Sequence, residues 1–132
     1  MYNENPYVFP QHEIEKLPNS FYSHAEAIYH LSEVGIDVKQ TRVADWLNVS
    51  RANVSQVIGR MQNSGLIELS DELMLTEKGS YLAKMISRRR RIVERFLSEI
   101  LDLPWDQVYK ETKKWENVLS PITEEAMLKI LG

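Results

Sequence analysis

The sequence predicts a mainly α fold, in which a helix-turn-helix and a small β-hairpin are followed by a second, helical module. Three observations carry this prediction. The stretch DVKQTRVADWLNVSRANVSQVIGRMQNSGLIEL, residues 37–69, holds two segments of helical apolar spacing on either side of a polar break. LIELS and LMLTE then follow as two short apolar runs bridged by Asp71–Glu72, the pattern of a hairpin. Beyond residue 78 the spacing stays helical, through EKGSYLAKMISRRRRIVERFLSEILD, PWDQVYKETKKWENVLS and ITEEAMLKIL. Helix, short turn, helix, hairpin is the order of a winged helix-turn-helix.

Each element has a local reason. Residues 1–20 carry three prolines and little periodicity, and read as an irregular N-terminal arm. FYSHAEAIYHLSEVG places Phe21, Ala25, Ile28, Tyr29 and Leu31 at helical spacing, and Gly35 stops the run. Val43, Ala44, Trp46 and Leu47 give a short amphipathic helix with Trp46 in its core face, broken at Asn48–Val49. Ser50 can accept a hydrogen bond from a free N–H of the next helix, which runs through Val54, Val57, Ile58 and Met61 to Asn63–Gly65. Pro104 and Pro121 stand where later helices can begin. The division that follows is an arm over 1–20, a winged helix-turn-helix over 21–78 and a helical dimerisation module over 79–132.

Composition narrows the function. No run approaches the about 18 consecutive apolar residues of a membrane span, and the N-terminus lacks the charged start and apolar centre of a secretory signal. With no cysteine there is neither a disulfide nor a thiolate metal site, and the chain reads as cytoplasmic. A net charge of -3 argues against indiscriminate binding of polyanions, so nucleic acid must meet a local patch. Enzyme readings find no support: there is no glycine-rich phosphate loop, HExxH or Ser–His–Asp pattern.

The local patch lies on the second helix of the pair. Between its apolar positions it offers Arg51, Asn53, Ser55, Gln56 and Arg60. Asn and Gln can pair bidentately with adenine, Arg with guanine, and Ser with a base or a phosphate. Lys39, Arg42, Arg51 and Arg60 are the candidates for phosphate contacts. The hairpin tip Ser70–Asp71–Glu72 is acidic, so the wing is expected to add little grip on DNA.

These blocks also resemble a known family. AIYHL, RVADWLNVSRANVSQVIGRMQNSGLIEL, LMLTEKGSYLAKMI, RRIVERFL and KETKKWENVLSP, in this order and spacing from about Phe21 to Leu131, are similar to the diphtheria-toxin-repressor-like metalloregulators. The resemblance implies a homodimer that represses at palindromic double-stranded DNA operators. It puts Ser50, Arg51, Ala52, Asn53 and Gln56 nearest the bases. It also implies a divalent metal held by residues whose counterparts in this chain are Ser23, Glu26, Arg90, Glu94, Tyr109, Lys113, Glu116 and Asn117. Two of these positions hold cations, and a protonated arginine has no lone pair to give a metal. The expectation is therefore a regulator with no cofactor, in which Arg90 and Lys113, with Glu94, Glu116 and Glu26, form an ion-pair network in the metal's place. The rival readings are a repressor still dependent on manganese or iron through a rearranged carboxylate site, and a winged helix that docks a protein partner and no longer binds DNA.

His12, His24 and His30 are too scattered for a shared site and are expected at the surface. Trp115, Tyr109 and Phe96 are expected to pack a core or a dimer interface. The run SRRRRIVERF, residues 87–96, cannot present four arginines on one stripe, because a helix turns about 100° per residue. Arg88, Arg89 and Arg91 are expected to face solvent, leaving Arg90 as the position with a role.

Overall fold

The computed structural model describes residues 11–116 and 118–132. The chain divides into two compact units, the first ending at Lys84 and the second beginning at Met85.

In the first unit, α1 (Gln11–Glu15) precedes α2 (Asn19–Glu33), α3 (Gln40–Leu47), α4 (Arg51–Asn63) and the antiparallel strands β1 (Ile67–Leu69) and β2 (Leu73–Leu75). The irregular arm expected over residues 1–20 is corrected in its second half: 11–15 are helical and α2 starts at Asn19. Ile14 anchors this stretch, since its side chain is buried and its carbonyl accepts a 2.6 Å hydrogen bond from the Tyr22 hydroxyl. The arm's residues 1–10 lie outside the described residues.

The helix pair closes on α2 through Val43 and Ala44 of α3 and through Val54, Val57, Ile58 and Met61 of α4, all buried. α3 ends at Asn48, which takes the left-handed conformation at φ 57, and Asn is among the few residues that accept it readily. Ser50 caps α4 as its sequence position predicts, its Oγ accepting from Asn53 N at 3.1 Å. The hairpin pairs Ile67 with Leu75 and Leu69 with Leu73.

Thr76 joins the wing to α5 (Glu77–Arg95), its hydroxyl donating to the Gly65 carbonyl at 2.6 Å and accepting from Gly79 N at 3.1 Å. Gly79 passes so close to the Leu66 carbonyl oxygen that a Cβ there would collide with backbone. Gly79→Ala is expected to destabilise the first unit by about 2–3 kcal/mol, the cost of overpacking a site that cannot relax. Thermal unfolding measures it, and an unchanged midpoint would contradict the close approach.

α5 continues into the second unit, where a π-helix (Phe96–Ile100), α6 (Trp105–Trp115) and α7 (Pro121–Leu131) follow. Ile92, Val93, Leu97, Val108, Leu119 and Met127 make its core, with Phe96, Leu103, Trp115, Leu128 and Leu131 packed around them. Pro104 precedes α6 and Pro121 opens α7, whose cap is Ser120, its Oγ accepting from Thr123 N at 3.3 Å. No helix among the described residues is long and apolar enough to cross a membrane.

Candidate nucleic-acid interface and the ion pairs of the helical module

α4 buries one stripe and leaves the other in water. Arg51, Ala52, Asn53, Ser55, Gln56 and Arg60 are all exposed, as are Ser50 before them and Lys39 and Arg42 at the start of α3. The N-terminal turn of α4 therefore offers side chains with two-point hydrogen-bonding geometry together with helix N–H groups, and the two basic residues flank it from the preceding helix. Arg60 has a second attachment. Its guanidinium lies 5.4 Å from the centroid of the Phe21 ring, so part of its role is to close α4 onto α2.

At the wing, Asp71 and Glu72 are exposed. A side-chain hydrogen bond with Asp37 holds the Glu72 carboxyl above the usual carboxylate range, and the negative charges of Asp37 and Asp71 add to the shift. Three acids at one edge make this wing a poor partner for phosphate.

The second unit carries the ion pairs. Glu124, at 1% exposure, accepts from Arg88 Nε at 2.7 Å and from Arg89 Nε at 3.3 Å. This corrects the expectation that Arg88 and Arg89 face solvent. Arg89 is only 3% exposed, while Arg91 is exposed as expected. No local spacing announces this cluster, because its partners stand 35 and 36 residues apart.

Arg90 donates through Nε to Glu116 Oε2 at 3.3 Å, joining α5 to the end of α6. Burial raises the Glu116 carboxyl above its usual range; the Arg90 guanidinium opposes that shift, and Glu94 reinforces it. Lys113 places its ammonium 4.6 Å from the centroid of the Tyr109 ring. Tyr109 is 61% exposed, so it does not join the Phe96–Trp115 contact, whose rings lie 6.4 Å apart. Of the other positions singled out with these, Ser23 is half-buried and donates to the Ser20 carbonyl at 3.0 Å, Glu26 is buried in α2, and Glu94 is half-buried in α5. Asn117 lies outside the described residues.

Two further expectations are corrected. His24 is buried, its Nδ1 2.8 Å from the Ser20 carbonyl, and desolvation lowers its pKa. It faces inward because α2 is covered on most of its circumference, from Phe21 to Ile28. Trp46 is no core residue: it is 53% exposed, and Val43 and Ala44 fill the buried side of α3 in its place. His30 is exposed, while the side chain of His12 lies outside what is described.

Comparison with known proteins decides the family. Residues 23–75 match the family described as "Iron dependent repressor, N-terminal DNA binding domain", and residues 76–132 match "Iron dependent repressor, metal binding and dimerisation domain". The chain belongs to the iron-dependent repressor family. Among its relatives, the iron-dependent repressor IdeR of Mycobacterium tuberculosis is 38% identical over 107 residues, covering 80% of this chain and 46% of that protein. The diphtheria toxin repressor of Corynebacterium diphtheriae is 35% identical over 106 residues, covering 79% and 47%. The solved structure of the manganese regulator SloR superposes with a TM-score of 0.77 at 27% identity, covering 87% of this chain and 54% of that one. A manganese-dependent transcriptional repressor in complex with manganese gives 0.78 at 26% identity, covering 85% and 52%. The chain thus spans about half the length of the curated relatives it matches.

Membership in this family overturns the expectation of a regulator without a cofactor, since residues 76–132 match a metal-binding and dimerisation domain, and IdeR and the manganese-dependent repressor among the relatives are named for iron and manganese. The donor set of this chain does not fit such an ion in the geometry described. Among the described residues no group of three His, Asp or Glu side chains is placed to hold a metal, and the Arg90 guanidinium already engages Glu116.

Proposed function

We propose that the chain is a sequence-specific, DNA-binding transcriptional repressor of the cytoplasm, acting as a homodimer on a palindromic operator. Residues 21–78 form its reading head and 79–132 its dimerisation module. The observation that carries this reading is the exposed face of α4, where Arg51, Asn53, Ser55 and Gln56 stand free of the core on a helix whose start Ser50 fixes. Two such heads related by a dimer axis meet half-sites one helical turn apart or a multiple of it, which accounts for the palindrome.

In this reading α4 enters the major groove by its N-terminal turn. Gln56 and Asn53 read adenine, Arg51 reads guanine or a phosphate, and the Ala52 methyl suits a thymine methyl. Ser50, Ser55, Lys39, Arg42 and Arg60 hold the backbone on either side. In the helical module the Arg90–Glu116 pair, with Lys113 and Glu94 near it, fixes α6 against α5.

Selection of bound genomic DNA, with manganese, with iron and with a chelator, tests the reading. Recovery of one palindromic sequence supports it, and the chelator arm measures how far operator affinity depends on the ion. Failure to retain any fragment under all three conditions would favour the winged helix as a protein-docking module.

Arg42→Ala supplies a finer check. Losing one phosphate contact is expected to weaken operator and non-specific DNA alike, and to reduce the slope of log affinity against log salt by about 1. An unchanged slope would remove Arg42 from the interface.

A further inference from the structure

One flank of α6 carries aromatic rings into water. Trp105 is 71% exposed and Tyr109, one helical turn on, is 61% exposed, while Val108 and Thr112 fill the buried side of the same helix. A spacing of four residues puts the two rings on one face. The Lys113 ammonium, a further turn along, lies 4.6 Å from the centroid of the Tyr109 ring and extends the stripe. A single exposed aromatic would need no explanation. Two on successive turns have the composition of an interface core, not of a solvated face.

The charges of this flank are divided along the helix. Asp106 stands in the first turn of α6, Lys110 at its middle and Lys113 in its last turn, and all three are exposed. Asp102, exposed just before the helix, adds to the acidic end. The other charges of α6 are engaged elsewhere: Lys114 pairs with Glu111 at 3.8 Å, and the buried Glu116 accepts from Arg90. A flank with one acidic and one basic end complements itself only when it meets itself reversed. A two-fold axis passing by Tyr109 sets Trp105 opposite Lys113 of the second copy, and Asp106 opposite Lys110 and Lys113. Each indole then faces an ammonium, and each Asp106 carboxylate faces two. Parallel packing would set acid against acid and base against base. Nucleic acid would gain from the lysines alone and be repelled by the acidic end, so a second copy is the occupant that uses both ends.

We propose that two copies of this chain associate through antiparallel contact of their α6 helices. The contact centres on Trp105 and Tyr109 and is held in register by Asp106 against Lys110 and Lys113. It rests on the homodimer reading, which the match of residues 76–132 to a dimerisation domain supports, and it assigns the face that the dimer uses.

Sedimentation equilibrium of the full chain over a range of concentrations tests the contact. Wild type is expected to be a dimer. Trp105→Ala is expected to raise the dimer dissociation constant at least about tenfold, since a tryptophan at the centre of an interface is lost twice in a two-fold contact. Two charge variants decide the orientation. Asp106→Lys leaves only cations on the flank within the helix, and the double change Lys110→Glu with Lys113→Glu leaves only acids. Each alone is expected to be monomeric at concentrations where wild type is dimeric, and an equimolar mixture to recover the dimer. These side chains are exposed, and circular dichroism checks that each variant keeps the helix content of wild type. A wild-type monomer would overturn the homodimer reading and the proposal together. A wild-type dimer that all three variants leave intact would overturn the proposal alone, by moving the dimer axis to another face. Variants that lose the dimer without recovering it in the mixture would overturn the antiparallel contact.

Discussion

Glu124→Ala is expected to destabilise the helical module by about 3–5 kcal/mol, the range seen when one partner of a buried ion pair is removed. The cost arises from what remains. Arg89 is almost wholly buried, and its Nη2 has no hydrogen-bond partner among the described residues, so its ion pair with the Glu124 carboxylate offsets its charge. Arg88 contributes less, because its side chain is 38% exposed and water can take over part of its hydration. Removing the carboxylate would strand the Arg89 cation between α5 and α7 and set two like charges side by side. Urea unfolding followed by circular dichroism measures the loss. A double change, Glu124→Leu with Arg89→Met, separates charge from packing: replacing a buried pair by apolar groups of similar volume is often neutral, so most of the stability should return. Arg95→Ala is the surface comparison. Its pairing with Glu99 at 2.8 Å is exposed on both sides, and its loss is expected to leave the unfolding midpoint almost unchanged, because water screens and replaces the pair. If Glu124→Ala were as mild as Arg95→Ala, the buried cluster would have no structural weight.

That cluster also marks where reading by sequence reaches its limit. The helix pair and the wing were legible because their determinants are local: the spacing of Val54, Val57, Ile58 and Met61, the hydroxyl of Ser50 three residues before Asn53 N, and apolar runs on both sides of Asp71–Glu72. What was illegible depends on which helix covers which. Arg89 looks like one member of a solvated run until α7 brings Glu124 against it. Trp46 looks like a core residue because it is large and apolar, yet Val43 and Ala44 set the buried stripe of α3 and leave the indole outside. His24 looks like a surface residue because a histidine carries no periodicity of its own, whereas α2 is buried nearly all round. The π-helix over 96–100 has no compositional signal, since Phe96, Leu97 and Ile100 suit an α-helix equally well. In the candidate interface the exposed polar face of α4 was legible residue by residue; the attachment of Arg60 to Phe21 was not, because it joins side chains 39 residues apart.

The second large effect concerns selectivity. Gln56→Ala and Asn53→Ala are each expected to reduce discrimination between the operator and a sequence altered at one base pair by about 1–3 kcal/mol, the worth of a bidentate base contact. Affinity for non-specific DNA should change little, because that affinity comes from phosphate contacts that neither residue supplies as a cation. The structure makes the experiment clean at Gln56, which is exposed in mid-helix with its buried neighbours Val57 and Ile58 on the other face, so alanine removes a reader and leaves the core intact. Asn53 needs more care. It is the third residue of α4, and its backbone N–H, not its side chain, makes the bond to Ser50 Oγ, so Asn53→Ala keeps the cap. Ser50→Ala is the contrasting variant: it loses the cap, costs about 1 kcal/mol of stability, and is expected to weaken all DNA binding by loosening the helix start. Competition gel shifts at fixed salt, with the operator against single-base variants, separate the two patterns. If Gln56→Ala and Asn53→Ala lowered operator and non-specific affinity by the same factor, both would be phosphate-side or structural residues, and base reading would fall to Arg51 and Ser55.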